Sequence, residues 1–402
     1  MRDPSVHETR PVLITRAFIL LFTAHLLFGL SFWPYVLLPV FLQQLGADLF
    51  TVGLIMGTAS FSGILIRPWV GAALDRIGRR KILIAGGAVF LGANLSYLAI
   101  DEVGWTIFVV RLLHGLGMGI LMAAFFTLAA DLSPATRRTE GIALFGVSGH
   151  LSGAIGVLVG EQIIRLGGYP ALFLSSATLA LLSIFTSLFI REPETPSHDA
   201  EPEGFFSVLR GPALRIPLLG TVAFSFSMTS YMVFLKPYAL KMGIGSITPF
   251  FIAYTFTAVT VRLAGSSWPD RFGLKKVLYP SMISMAVGIV ALLFWPTPSG
   301  LIVGGVLSGI GHGFIFPILS VMLIERAREE NRGSAITLFT MLYDLGLFIG
   351  APLLGFIAIG ERYGRMYVAA AAVLMVSLIA FIRFDREKGE GGSGPPLREG
   401  GG

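Results

Sequence analysis

Two ionisable residues, His150 and Asp344, each stand about ten residues into a long apolar run of this chain. At about 1.5 Å of rise per helical residue they lie roughly 15 Å deep, near the middle of a bilayer if those runs cross one. A charge there is costly unless it faces a protein interior or a wet cavity, so both are candidates for function. Asp344 suits uptake of a proton, or the offsetting of a cationic part of a bound solute. The structural alternative is an aspartate capped by neighbouring hydroxyls. His150 suits a share in the same work, because imidazole titrates near neutral pH. His114 and His312 read either as proton or ligand groups or as neutral bridges between helices.

Arg67 and Arg262 lie near one end of their runs, and Asp131 and Glu325 lie at a similar depth in others. Pairing of Arg67 with Asp131 and of Arg262 with Glu325 is expected, with arginines that snorkel to the interface as the alternative. No His pair falls at i, i+4 and no carboxylate cluster occupies one helix, so the spacing supports no metal site. No cofactor is implied either. A phosphate-binding Gly-x-x-x-x-Gly-Lys-Ser/Thr loop is absent from the sequence, which leaves no ATP chemistry to drive work. An enzyme would need a nucleophile or an acid and base at one depth, and no serine or metal constellation accompanies His150 and Asp344. The aromatic residues Trp33, Tyr35, Phe125, Phe126, Phe226, Tyr231, Tyr254, Phe316 and Tyr343 are candidates for the wall of a cavity. Roughly a third of them are expected to touch a solute, the rest being packing. Many aromatics and few charges suit an amphiphilic organic molecule.

The elements that must position these groups are helices in lipid. The chain has 402 residues, 54% of them hydrophobic and 13% charged, and a mean hydropathy of +0.77, far from the values of a water-soluble domain. Apolar runs recur at 17–44, 50–71, 82–100, 104–130, 140–164, 169–190, 214–240, 247–268, 276–296, 299–325, 333–359 and 363–383. Each is long enough to cross roughly 30 Å of hydrocarbon as a helix, and none alternates as a barrel strand does. The polar opening "MRDPSVHETRPVLITR" shows no cleavable leader. The absence of cysteine excludes a disulfide framework. Of 30 Lys and Arg, 22 fall in the ends and loops on one side, 5 on the other and 3 inside spans. That asymmetry predicts a multi-pass protein of the cell (inner) membrane with both termini cytoplasmic. The net charge of +6 therefore marks topology, and nucleic acid is not an expected partner.

The stretch 191–213 is rich in Pro and Glu and reads as a cytoplasmic linker, and the Gly-rich tail 387–402 reads as disordered. The residues on either side, 1–190 and 214–386, match each other at an offset of 194 or 195. Arg67 falls on Arg262, Asp75 on Asp270, Arg76 on Arg271, Gly78 on Gly273, Asp131 on Glu325 and His150 on Asp344. Two parallel six-helix bundles related by an axis along the membrane normal are expected.

A twelve-helix chain of this kind with "GAALDRIGRRK" between spans two and three resembles the major facilitator superfamily. Gly71, Asp75, Arg76, Gly78, Arg79 and Arg80 fill that family's loop motif. The second copy keeps Asp270, Arg271 and Gly273, with Ser266 and Leu274 at the other motif positions. In span four "RLLHGLGMG" is similar to the family's Arg-x-x-Gln-Gly-x-Gly, with His114 in place of glutamine. The stretches "RPWVG" and "DLGLFIGAPLLG" resemble the bacterial efflux-permease branch. One departure bears on antiport: span five reads "GHLSGA" where many proton antiporters carry Gly-Pro-x-x-Gly-Gly.

The resemblance implies secondary active transport of a small organic solute by alternating access, driven by protons. Export leads, with uptake by symport or facilitated diffusion as the alternative and a membrane sensor as the rival from another class. Substrate or proton-linked roles are implied for Arg111. The loop motif implies an inner gate, in which Asp75 meets the start of span eleven around Asn331 to Ser334 and Asp270 meets the start of span five, each at the positive end of a helix dipole. One chain can close such a bundle, so a monomer is expected.

Overall fold

A computed structural model describes residues 12–192, 214–327 and 332–385. The expected linker 191–213, apart from its first two residues, and the tail from 386 lie outside them, as does Asn331. Helices dominate. Ten are long and apolar enough to cross a membrane. One of these, Arg138–Ser187, is broken at Gly168, whose φ of 70° lies in the left-handed region, so it makes two crossings. Thr248–Ala264 adds a shorter one. The described residues thus supply twelve crossings, close to the expected runs.

The spans, numbered in chain order, are Arg16–Gln44, Leu49–Ile77, Arg79–Ala99, Trp105–Leu132, 138–167, 169–187, Arg215–Lys241, Thr248–Ala264, Leu274–Phe294, Pro298–Arg326, Arg332–Ile357 and Tyr363–Phe384. The first span tightens into a 3-10 stretch at Trp33–Leu37, where Pro34 removes a backbone donor. Loops at 78, 133–137, 273 and 327 share one face with residues 12–15, 192 and 385. This is the terminal face. The loops at 45–48, 100–104, 243–247, 295–297 and 358–362 share the far face.

Packing is repeated. Span two lies on span four, three on four and three on six, and the counterparts are eight on ten, nine on ten and nine on twelve. Between the two sets of six, the main contacts are span two with span eleven and span five with span eight. These two seams are themselves counterparts under the sequence offset. Glycine lets span two and span eleven touch: a Cβ on Gly53 would lie 2.2 Å from the Ala351 carbonyl oxygen, and one on Gly355 would lie 2.3 Å from that of Leu49. Both approaches are in the far-face half, where small residues permit backbone contact that larger side chains would forbid.

The charged loop motif has a geometric cause. Gly78 (φ 104°) ends span two and Gly273 (φ 98°) ends the short helix Trp268–Phe272, with nearly equal ψ of 143° and 142°. Side chains other than glycine rarely adopt that backbone, so the motif glycine persists in both copies. The adjoining basic residues bind the same place in each repeat. Arg80 reaches the carbonyls of Leu188 and Ile190 at the end of span six, and Lys275 donates to the Asp385 carbonyl at the end of span twelve at 2.6 Å.

Asp385 gathers further bonds through its side chain. Its carboxylate accepts from Arg326 at 2.5 and 2.9 Å and pairs with Lys275 at 3.2 Å. Burial alone would raise this carboxyl, but the bonds and charges of Arg326 and Lys275 outweigh it and hold it below the usual carboxylate range. A lowered folded value means that the stabilisation is complete above about pH 4 and is lost as pH falls below that. Asp385→Asn is expected to lower the detergent melting temperature by an amount matching roughly 1.5–3 kcal/mol. The gap to wild type should narrow as melting is repeated from about pH 6 down to about pH 3, across the carboxylate range, and a gap that stays constant would exclude the carboxylate as its cause.

Candidate functional site

Two arginines cross between the halves at mid-depth. Arg67 of span two donates from Nε at 2.9 Å and from Nη2 at 2.5 Å to Oδ2 of Asp344 in span eleven. Arg262 of span eight donates from Nη1 at 2.8 Å to Nε2 of His150 in span five. Under the repeat offset Arg67 is the counterpart of Arg262, and Asp344 that of His150. The two pairs are one contact made twice, each joining the bundles.

This corrects the expected partners. Arg67 does not meet Asp131, and Arg262 does not meet Glu325, which is exposed. Asp131 takes Arg79 instead, at 3.1 Å, and Arg79 also holds Asp75 at 3.0 Å. The Asp75 carboxylate thus turns along its own loop, and Asp270 and Arg271 are exposed, with the Arg271 guanidinium 5.3 Å from the Phe272 ring centre. In this conformation Asp75 and Arg79 brace one half, and among the described residues Asp75, Arg76 and Arg79 make no ion pair with the other.

Asp344 sits twelve residues after the start of span eleven and is 5% exposed. Gly63 makes room for it: a Cβ there would stand 3.6 Å from Oδ2. Both guanidinium bonds fall on Oδ2, and Oδ1 accepts none from the described residues. The carboxylate thus has one counter-charge, a guanidinium on the opposite bundle. Removing that partner would leave an uncompensated buried charge, at a cost of about 3–5 kcal/mol.

Around the second arginine the walls are aromatic. The guanidinium lies 5.8 Å from the Phe316 ring centre. The His150 and His312 rings are 6.1 Å apart, and the Tyr254 hydroxyl is hydrogen-bonded to His312 Nδ1. Tyr343 donates to Met228 Sδ at 3.3 Å, and its ring lies 5.7 Å from Phe316 and 6.0 Å from Phe224. Spans five, eight, ten and eleven thus bring His150, Arg262, His312, Tyr254, Phe316 and Tyr343 into one cluster, with Phe224 and Met228 of span seven beside it. Tyr231 packs behind it, 5.7 Å from Tyr254.

Other candidates lie elsewhere. Arg111 is 5% exposed. It donates to the Ile55 and Met56 carbonyls of span two and to the Tyr97 hydroxyl, so its donors bind helices within one half. His114 is fully buried beside it among Tyr35, Phe90 and Tyr97, and neither ring nitrogen has a hydrogen-bond partner among the described residues. Tyr35 donates to Asn94, and Phe125 packs on His25 and Phe28. Trp33 lies on the second glycine of "GHLSGA": a Cβ on Gly153 would meet its ring at 3.2 Å. Phe226 backs onto Gly350 of span eleven.

The far face carries a group that the sequence pattern did not assign to gating. Glu161 of span five accepts from Lys236 of span seven, from Ser246, from Thr248 Oγ1 at 2.7 Å and from the Ile247 N–H at 3.1 Å. One carboxylate from the first half therefore binds four donors of the second. The Lys236 ammonium and Glu161 carboxylate are only 12% and 9% exposed, which protects the pair from solvent screening. Its sequence signal was a carboxylate and a lysine inside spans five and seven, near the same end of each. Among the described residues, hydrogen bonds between the halves occur at mid-depth and toward this face.

Twelve crossings in two repeated bundles, tied by buried pairs at the midplane, define a helical membrane protein of two halves joined along a seam. The family model of the Major Facilitator Superfamily matches residues 18–266 and 250–399, and the chain belongs to that superfamily. It is similar to an uncharacterized MFS-type transporter YhhS of Salmonella enteritidis, at 26% identity over 89% of each chain. The Escherichia coli K12 protein of that name is 25% identical over 92% of this chain and 91% of its own. Among solved structures, a mutant form of the nucleoside transporter NupG superposes with a TM-score of 0.78 at 13% identity, over 92% of this chain and 100% of that one. A variant of the E. coli fucose:proton symporter FucP gives 0.63 at 20% identity, over 92% and 98%. The superpositions establish the fold, and membership of the superfamily makes the chain a secondary transporter, not an enzyme.

The Glu161 cluster generates a test of closure. The chain has no cysteine, so spin labels can be placed at exposed Asp101 and Ser299, far-face positions on opposite halves. Glu161→Gln removes charge-assisted bonds of about 1.5–3 kcal/mol each, enough to shift the population ratio about tenfold or more. Pulsed dipolar distances are expected to gain a longer component in the variant. An unchanged distribution would exclude Glu161 as a latch.

Proposed function

We propose that the protein is a proton-coupled exporter of a small amphiphilic organic solute, working by alternating access from a bacterial inner membrane with both termini in the cytoplasm. The observation that carries this reading is the Arg67–Asp344 pair. It lies at mid-depth, it is largely shielded from water, and it spans the two bundles that must move. A proton on Asp344 cancels the carboxylate charge and leaves Arg67 without its anion, which lowers the free energy holding span two against span eleven. Protonation and the choice of open mouth are thereby linked, which is the requirement for coupling.

The distribution of Lys and Arg supports the orientation. Export draws on the efflux-permease character of "RPWVG" and "DLGLFIGAPLLG". The aromatic cluster at Phe316, Tyr343 and Phe224 favours a solute with an apolar body. Arg76, Arg79, Asp75, Asp270 and Arg271 remain suited to bracing the terminal face in the opposite state, when that mouth closes.

In proteoliposomes loaded with a panel of labelled aromatic solutes, an imposed proton gradient is expected to drive exchange outward relative to the cytoplasmic face. Asp344→Asn should reduce the gradient-driven component at least about tenfold, the loss that corresponds to roughly 1.4 kcal/mol, while solute counterflow persists. Wild-type flux indifferent to the gradient would reject proton coupling, and accumulation in the reverse sense would make the protein a symporter.

A further inference from the structure

The two crossed arginines are alike by position and unlike in what they meet. Arg67 is held by a carboxylate. Arg262 is held by an imidazole, and no carboxylate among the described residues comes within ion-pair distance of it. Neutral, His150 accepts one hydrogen bond and offsets no charge. Protonated, it would add a second positive charge beside the first. The Nε of Arg262 is fully buried and meets no acceptor among the described residues, although the guanidinium is a rigid fork of donors. The remaining polar groups around it are His312, Tyr254 and Tyr343, none of which supplies a negative charge in its neutral form. The His150 bond and the Phe316 ring offset part of the desolvation cost of this guanidinium, and an anion would offset the rest.

We propose that this position is the recognition site for an anionic group on the transported solute, and that the solute class is the aromatic or similarly planar organic monoacid. Its carboxylate takes the place that Asp344 fills on Arg67, receiving the unpartnered Nε–H in a charge-assisted bond. Its apolar body lies against Phe316, whose ring is 5.8 Å from the guanidinium, with Tyr343 and Phe224 completing the wall. His150 is already bonded to Arg262 from the first half, so an anion arriving on that guanidinium is felt across the same seam that Asp344 spans. The repeat thus uses one geometry twice: a resident anion on one side, a visiting anion on the other.

This inference rests on reading the seam as the solute path, but its test needs no gradient. Binding is measured on detergent-purified protein by thermal shift and by isothermal titration, with benzoate, phenylacetate and indole-3-acetate as probes. Their size-matched controls are the corresponding amides and the amines benzylamine, phenethylamine and tryptamine. At least one acid is expected to raise the melting temperature in a saturable manner, with its amide and amine at least about tenfold weaker, as loss of a charge-assisted bond requires. Arg262→Gln should abolish the preference, and Arg262→Lys, which keeps the charge but not the fork, should weaken acid binding several-fold. Equal binding of acid and amide, preference for amines, failure of every acid, or an unchanged acid affinity in Arg262→Lys would overturn the proposal. If Arg262→Gln does not fold, the wild-type ranking and the lysine variant still decide. Intact acid preference with gradient-independent flux would remove proton coupling and leave this site standing. Proton-driven flux of amines would do the reverse.

Discussion

Buried charge in an apolar seam is costly unless a partner meets it, and at Arg67 and Asp344 the partner comes from across the seam. Arg67 and Asp344 belong to different bundles, so neither bundle satisfies its own ion. The same side chains that would be costly in hydrocarbon alone become a joint between two bodies. In the proposed cycle such a joint has a direction and a chemical release, because a proton on Asp344 removes one of its two charges. Hydrophobic packing alone offers neither, since it is non-directional and does not respond to pH.

The rest of the architecture serves that joint. Glycine at 53, 57 and 355 brings spans two and eleven into backbone contact on the far-face side, which aligns Arg67 with Asp344 further along the same helices. Glu161 closes the outer edge with four donors from the other half. At the opposite edge the loop motif turns inward on its own bundle, Arg79 to Asp131 and Arg80 to the end of span six. Among the described residues, charge therefore joins the halves at mid-depth and the far face, while at the terminal face it stiffens each half separately. Charged contacts between the halves are thus confined to one side of the seam, the arrangement that the proposed rocking requires.

Duplication supplies the symmetry, and the two copies diverge within it. Matching glycine turns at 78 and 273, with φ of 104° and 98°, show how closely backbone geometry persists between the repeats. The departures are chemical: a carboxylate at 344 against an imidazole at 150, and a span-four arginine, Arg111, committed to helix carbonyls of its own half. A site built at the boundary of two similar bodies becomes selective where the copies differ.

Hydropathy alone yielded the twelve crossings and their order, because lipid demands long apolar helices whatever their neighbours, and the constant offset exposed the repeat. His150 and Asp344 were legible as functional candidates for the same reason, since polarity at that depth needs a cause. Their partners were not legible. Arg67 and Asp131 share a half and stand near the same end of their apolar runs, so pairing within one bundle is the simplest reading of the one-dimensional pattern. Only the packed structure decides that the arginine crosses to Asp344, because the seam, and not sequence proximity, sets which charges are within reach. Arg111, His114 and Glu161 make the same point: what a buried polar side chain does depends on whether its helix face meets its own bundle or the other, and that face is fixed by tertiary packing.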